Sequence, residues 1–368
     1  MVQMKARRVV VKLGSGVLSA GKDRLDLPTI RRLSKEIAAF TDAGGEVILV
    51  SSGAILAGRE RLGLKTRPAT IQLKQAAAAV GQSLLMRYWD QGFGRHGRTV
   101  AQVLLTREDM RHRGRYLNAR NTIFALLRLG AVPVINENDT VADEEIRFGD
   151  NDVLSALVAG LCDAQLLILL TDQDGLYTSD PRRDAAASLI RSFGEGHAQA
   201  KLGAAGPAGS GGMASKVDAA KMAASAGIPA VITNGLKAGT LARVLAGEDL
   251  GTHFAARQAP LDKRKAWLAF ASHPRGQIHV DAGAREALVN GGKSLLPSGV
   301  KTLSSDFAAG DVVSLVTEGR EFARGLTNYG SVDLERIKGL KTSQIEQVLG
   351  QKPSDEVVHR DNLAVLHS

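Results

Sequence analysis

The chain has 368 residues, 44% hydrophobic and 23% charged, with forty glycines, ten prolines and one cysteine. Those proportions exclude disordered, collagen-like and disulfide-stapled chains, and leave room for one large and one small globular domain. The formal net charge of +9 is uneven, since residues 261–368 hold 14 basic and 13 acidic side chains against 33 and 25 before them.

No apolar stretch approaches the length of a membrane span, and Met1–Lys5 leads toward the first strand without an apolar signal region, which predicts a cytoplasmic protein. The first apolar run, Val9-Val10-Val11, ends in Lys12-Leu13-Gly14-Ser15-Gly16. Runs of this length suit parallel strands buried on both faces, and open parallel sheets bind ligands beyond the carboxyl ends of their strands. Glycines at such an end let backbone N–H groups approach an anion. Walker A spacing is absent, so a nucleotide needs a different arrangement; the plainer alternative is a strand-end lysine beside a turn.

Helical spacing from Ile30 to Ala43 closes at Gly44-Gly45, and the strand Val47–Val50 runs into Ser51-Ser52-Gly53-Ala54, a source of hydroxyl and backbone donors. A second helix spans Leu73 to Tyr88, followed by a strand at Val100–Leu105. Arg107, Arg111, Arg113, Arg115 and Arg120 form the densest basic cluster, read as a solvated or subunit-contact face. The strand Val132–Ile135 ends in Asn136-Glu137-Asn138-Asp139, and Gly149-Asp150-Asn151-Asp152 opens a helix reaching Leu161. One N-cap explains one aspartate, whereas clustered carboxylates and carboxamides suit recognition of a small polar substrate. Cys162 reads as a buried helix position, and the histidines show no metal-ligand spacing, so no metal-binding residue is assigned.

The strand Leu166–Leu170 ends in Thr171-Asp172-Gln173-Asp174-Gly175. A glycine-rich stretch then reaches Ser210-Gly211-Gly212-Met213-Ala214-Ser215-Lys216 before an alanine-rich helix, an arrangement suited to nucleotide phosphate. Ala230–Thr233 is a further strand, and strands alternating with helices make an α/β doubly wound sheet. Periodicity fades from Gly247 to Pro260, and short strand-like pieces at Trp267–Ala271, Gln277–Val280 and Val312–Val316 predict a small β-rich domain. Lys12 and Lys216 converging at one sheet edge would meet the electrostatic need of phosphoryl transfer.

Taken in order, Val11-Lys12-Leu13-Gly14-Ser15, Ser52-Gly53-Ala54-Ile55, Asn136–Asp139, Gly149–Asp152, Thr171-Asp172 and Gly211–Lys216 resemble the amino acid kinase family, closest to its branch acting on glutamate. The resemblance implies a three-layer sandwich with a mainly parallel central sheet, and ATP-dependent phosphorylation of the L-glutamate side-chain carboxylate to L-glutamyl 5-phosphate, the first step of proline biosynthesis. It assigns Ser52, Asp139 and Asn151 to glutamate, and Lys12, Thr171, Asp172 and Ser210, Gly211, Gly212, Met213, Ala214, Ser215 and Lys216 to ATP. Lys12, Asp152 and Lys216 become the catalytic residues, with Mg²⁺ accompanying the nucleotide. Ser210 stands where the family pattern has threonine, and a hydroxyl remains.

Asp281-Ala282-Gly283-Ala284, Gly292–Pro297, Gly310–Val313 and Ala323–Leu326 resemble a PUA domain, a small β-rich barrel. The expected organisation is a kinase domain at 1–258, a linker at 259–274, the PUA domain at 275–355 and a tail at 356–368. Such domains bind RNA elsewhere, but this segment is nearly neutral, so RNA is an unexpected partner and a regulatory or assembly role is preferred. The resemblance also implies a homo-oligomer, dimer or tetramer, and inhibition by proline. Two alternatives remain open: a kinase for a related amino acid, and an RNA-binding regulator whose kinase fold is inactive.

Overall fold

The six apolar runs between Val9 and Thr233 become strands in the computed structural model, which describes residues 6–141, 151–181, 184, 186–194, 212–257, 265, 268 and 274–366. The first seven strands along the chain are β1 (Arg8–Leu13), β2 (Glu46–Ser51), β3 (Val100–Leu105), β4 (Val132–Glu137), β5 (Leu166–Thr171), β6 (Ala230–Asn234) and β7 (Thr252–Phe254). They form a seven-stranded sheet in the spatial order β3-β4-β2-β1-β5-β6-β7. The neighbouring pairs are parallel except for β7, which runs antiparallel to β6. The chain winds outward from β1 through β2 in one direction and through β5 in the other, so the order reverses beside β1. That reversal is where an open α/β sheet leaves a crevice for ligands.

The helices are α1 (Ser15–Ser19), α2 (Leu27–Asp42), α3 (Ala54–Arg61), α4 (Ile71–Gly94), α5 (Arg107–Arg111), α6 (Arg113–Arg128), α7 (Asn151–Leu161), α8 (Met213–Ser225) and α9 (Thr240–Leu245). Side chains alternate across a strand, and both faces of this sheet are covered. Val9, Val11 and Leu13 of β1, with Val47, Leu49, Val132, Val134, Ile168 and Leu170, share one core with α2, α3, α4 and α9. The intervening Val10, Ile48, Val50, Leu167 and Leu169 are equally buried, on the face where α7 contacts β1, β2, β4 and β5 and α8 contacts β5 and β6. Helix, sheet and helix thus make the three layers expected. Gly14, expected as open loop, caps α1, and Ser15 and Gly16 already lie within that helix.

α3 and α4 approach so closely that side chains are excluded between them. A Cβ on Gly81 would lie 1.8 Å from the carbonyl oxygen of Ala54, and one on Gly58 would lie 1.7 Å from that of Ala77. Gly81→Ala is therefore expected to lose about 2 kcal/mol in urea unfolding, since overpacking of about 3 kcal/mol outweighs a helix-propensity gain of up to about 1. Gly94→Ala, in the same helix with open space around it, is the control and should not destabilise.

One expectation in this region needs adjusting. Cys162 is fully buried but sits in the turn just past α7, not within it. In the arginine cluster, Arg115 faces Glu108 and Asp109, while Arg120 holds Asp163 and lies over the Phe124 ring, so both spend their charge locally. The side chains of Arg107, Arg111 and Arg113 lie outside those described. Among the described residues, no helix is long and apolar enough to cross a membrane.

The chain divides into two compact units, Met1–Pro260 and Leu261–Ser368. The second contains β8 (Gly276–Val280), β9 (Val300–Ser304), β10 (Val312–Thr317), β11 (Arg320–Leu326) and β12 (Leu363–Val365), with α10 (Ala282–Val289), α11 (Ser331–Ile337) and α12 (Ile345–Leu349). Its strands lie in the order β12-β11-β10-β8-β9 around a core that includes Ile278, Val313, Leu315, Phe322, Leu334, Ile345 and Val357. The segment 356–368, expected as a tail, instead supplies β12, because Leu363 and Ala364 are buried against β11. The strand expected at Trp267–Ala271 falls outside the described residues except for Leu268, which is helical and fully buried.

Candidate active site

Strand alternation decides where Lys12 goes. Val11 and Leu13 point to the α2–α4 layer, so Lys12 between them points to the layer of α7 and α8, although it is only 1% exposed. There its Nζ lies 2.5 Å from Oδ1 of Asp152, at the start of α7. The other carboxylate oxygen, Oδ2, lies 3.2 Å from Nζ of Lys216 and accepts from the Ser215 hydroxyl at 2.7 Å, both on the first turn of α8. Asp152 is fully buried and Lys216 is 7% exposed. Among the described residues these two ammonium groups share one carboxylate largely out of water, where an anion is attracted to a cation far more strongly than at the surface. Gly14 lies beside this cation, since a Cβ there would come within 3.6 Å of Lys12 Nζ.

A second cluster sits at the ends of β2 and β4. Gly53, at φ 110°, turns the chain from β2 into α3 in a conformation that other residues rarely adopt. Ser52, just before it, accepts from Asn151 Nδ2 at 2.9 Å, and the same nitrogen donates to Asn136 Oδ1 at 2.8 Å. Asn136 in turn donates to Gln82 Oε1 on α4 at 2.9 Å. Asp139 is half-buried in the turn three residues beyond Asn136.

At the end of β5, the Thr171 hydroxyl donates to Asp172 at 3.1 Å. Asn234, at the end of β6, donates to Asp174 at 2.9 Å, and Lys237 reaches Asp174 at 2.7 Å. The hydrogen bond from Lys237 holds the Asp174 carboxyl below the ordinary carboxylate range. Gly212 caps α8, and Met213, Ala214, Ser215 and Lys216 form its first turn, so this part of the expected phosphate segment is helical. Ser210, Gly211, Gly149 and Asp150 lie outside the described residues.

Residues 7–234 match the amino acid kinase family, and residues 276–349 match the PUA domain. Glutamate 5-kinase of Moorella thermoacetica is 52% identical over 366 residues, covering 98% of this chain and 97% of that protein. Glutamate 5-kinase of Syntrophotalea carbinolica is 52% identical, and that of Thermus thermophilus 50%, each over 98% of both chains. The chain belongs to the glutamate 5-kinases of the amino acid kinase family.

For a glutamate 5-kinase family member, the structure brings together Lys12, Asp152, Ser215 and Lys216 in one group and Ser52 and Asn151 in another. Asn151 and Asp152 are consecutive, so the start of α7 joins the two. Sequence reasoning left Asn136, Gln82, Asn234 and Lys237 without roles. Asn136 opened a polar cluster already noticed, and Asn234 lies one residue beyond the run read as the last large-domain strand. Gln82 carried a faint signal as a polar residue within an alanine-rich helix, between the buried Ala78 and Leu85.

Proposed function

We propose that this chain transfers the terminal phosphoryl group of ATP to the side-chain carboxylate of L-glutamate, giving L-glutamyl 5-phosphate and ADP, the first step of proline biosynthesis. The observation that carries this reading is the 52% identity, over 98% of the chain, to a protein named glutamate 5-kinase. The geometry agrees with it. A glutamate carboxylate oxygen attacks the terminal phosphorus, the bond from that phosphorus to the bridging oxygen breaks, and ADP leaves with the electron pair. The nucleophile is already ionised at neutral pH, with an ordinary pKa of about 4.3, so no general base is required.

Lys12 and Lys216 stabilise the charge on the moving group and on the leaving oxygen. Asp152 holds both ammonium groups at one point and takes no proton. Ser52, Asp139 and Asn151 bind glutamate, while Thr171, Asp172 and Ser210 through Lys216 hold ATP. A bound Mg²⁺ would neutralise phosphate charge. Among the described residues, no group of three or more His, Cys, Asp or Glu could cage a metal, and both oxygens of Asp152 already face Lys12, Ser215 and Lys216. The ion therefore fits this site as a partner of the phosphates. A cytoplasmic homo-oligomer inhibited by proline at the glutamate site completes the reading.

Incubation with Mg-ATP, L-glutamate and hydroxylamine tests it, since the trapped acyl phosphate becomes a coloured hydroxamate. Glutamate-dependent hydroxamate formation, suppressed by proline and weak with aspartate or acetylglutamate, is the expected outcome. Equal or greater turnover of either analogue would reassign the substrate, and no turnover on any would reject the kinase reading.

A further inference from the structure

We infer that Gln82 is a positioning residue for the glutamate site, acting through Asn136 on Asn151 from the opposite side of the sheet. The inference rests on the kinase reading above. Its starting point is a polarity that can be fixed without seeing hydrogens. The backbone N–H of Glu137 approaches one end of the Asn136 carboxamide at 2.9 Å. A backbone N–H can only donate, so that end is the oxygen.

Every other orientation in the chain follows. The nitrogen of Asn136 must donate, and Gln82 Oε1 receives it at 2.9 Å. The oxygen of Asn136 also receives Asn151 Nδ2 at 2.8 Å, so the Asn151 amide is turned with its nitrogen toward Asn136 and Ser52. Among the described residues, its Oδ1 is left buried with no hydrogen-bond partner, and so is Nε2 of Gln82. Both ends of the relay thus carry an unsatisfied buried atom among the described residues; an apolar side chain at position 82 would remove one of them but leave the buried Asn136 nitrogen without its acceptor. Among the described residues, Gln82 gives Asn136 the acceptor that holds its amide plane against rotation.

The relay also spans the sheet. Asn136 shares the parity of Val132 and Val134, which face the α4 layer, whereas Asn151 opens α7 in the other layer. It is therefore α4, which supplies no residue to the sequence-derived site, that sets the angle of Asn151. Such an anchor governs how well glutamate is held and leaves the lysines that handle phosphate untouched.

Steady-state kinetics of Gln82→Met, Asn136→Ala and the double variant, read by hydroxamate formation, test this. Gln82→Met is expected to raise the glutamate KM about tenfold, with kcat within about threefold and the ATP KM unchanged. The double variant should be no worse than Asn136→Ala alone, because Gln82 works only through Asn136. Gln82→Ala, with space for a water, serves as the second variant should methionine not fold. An unchanged glutamate KM in both Gln82 variants, a loss confined to kcat, or additive effects in the double variant would overturn the assignment. Each of those results is read against a wild type that turns over glutamate; failure of the wild type itself would instead reject the kinase reading on which the inference stands.

Discussion

Lys216→Met is expected to lower kcat for hydroxamate formation by about a thousandfold while the protein stays folded. The methionine side chain fills most of the lysine's volume and removes only the ammonium group. The fold survives because Asp152 keeps Lys12 at 2.5 Å and the Ser215 hydroxyl at 2.7 Å, so no buried carboxylate is stranded. Catalysis does not survive, because charge that develops on the transferring phosphoryl group loses one of two fixed cations in a site largely closed to water. The KM for glutamate should change little, since Lys216 is proposed to act on phosphate and lies outside the Ser52–Asn151 cluster. A variant with more than about a tenth of wild-type kcat would be incompatible with phosphate stabilisation by this lysine.

Asp152→Leu is expected to damage both fold and activity. It leaves the ammonium groups of Lys12 and Lys216 buried at 1% and 7% exposure without their shared counter-ion. Stranding one member of a buried pair costs about 3–5 kcal/mol, and here two cations lose the same partner. Urea unfolding should report a loss of at least that size, with hydroxamate formation at background. Pairing the substitution with Lys12→Met separates the two effects. Stability should partly return because one stranded charge is gone, whereas activity should not return at all. Independent, additive losses in that double variant would argue against a shared ion cluster.

Much of this arrangement could be read from the sequence, for a physical reason. Strands buried on both faces are written as continuous apolar runs, and polar residues at the ends of such runs stand out against them. Lys12, Ser52 and Thr171 stand out in that way, whereas Asn151, Asp152 and Lys216 are read from polar or glycine-rich clusters that open helices. The spatial order of the strands was not legible, because nothing local records which strand lies beside β1. Gln82 and Asn136 are 54 positions apart, and a glutamine in an alanine-rich helix does not announce which way it points. Short pieces were misread for want of periods to count: Leu268 lies in helix where a five-residue apolar run suggested strand, and β12 is only three residues long. Cys162 missed its helix by a single position.

The glycine contact between α3 and α4 has a mechanical meaning for the pocket. α3 begins two residues after Ser52, and Gly81 presses the backbone of Ala54 one residue before Gln82. Backbone against backbone has no side-chain rotamer to absorb a shift. The hydroxyl that receives Asn151 and the amide that reaches Asn136 therefore travel as one rigid jaw, and any displacement of either helix reaches the proposed glutamate pocket from two directions at once.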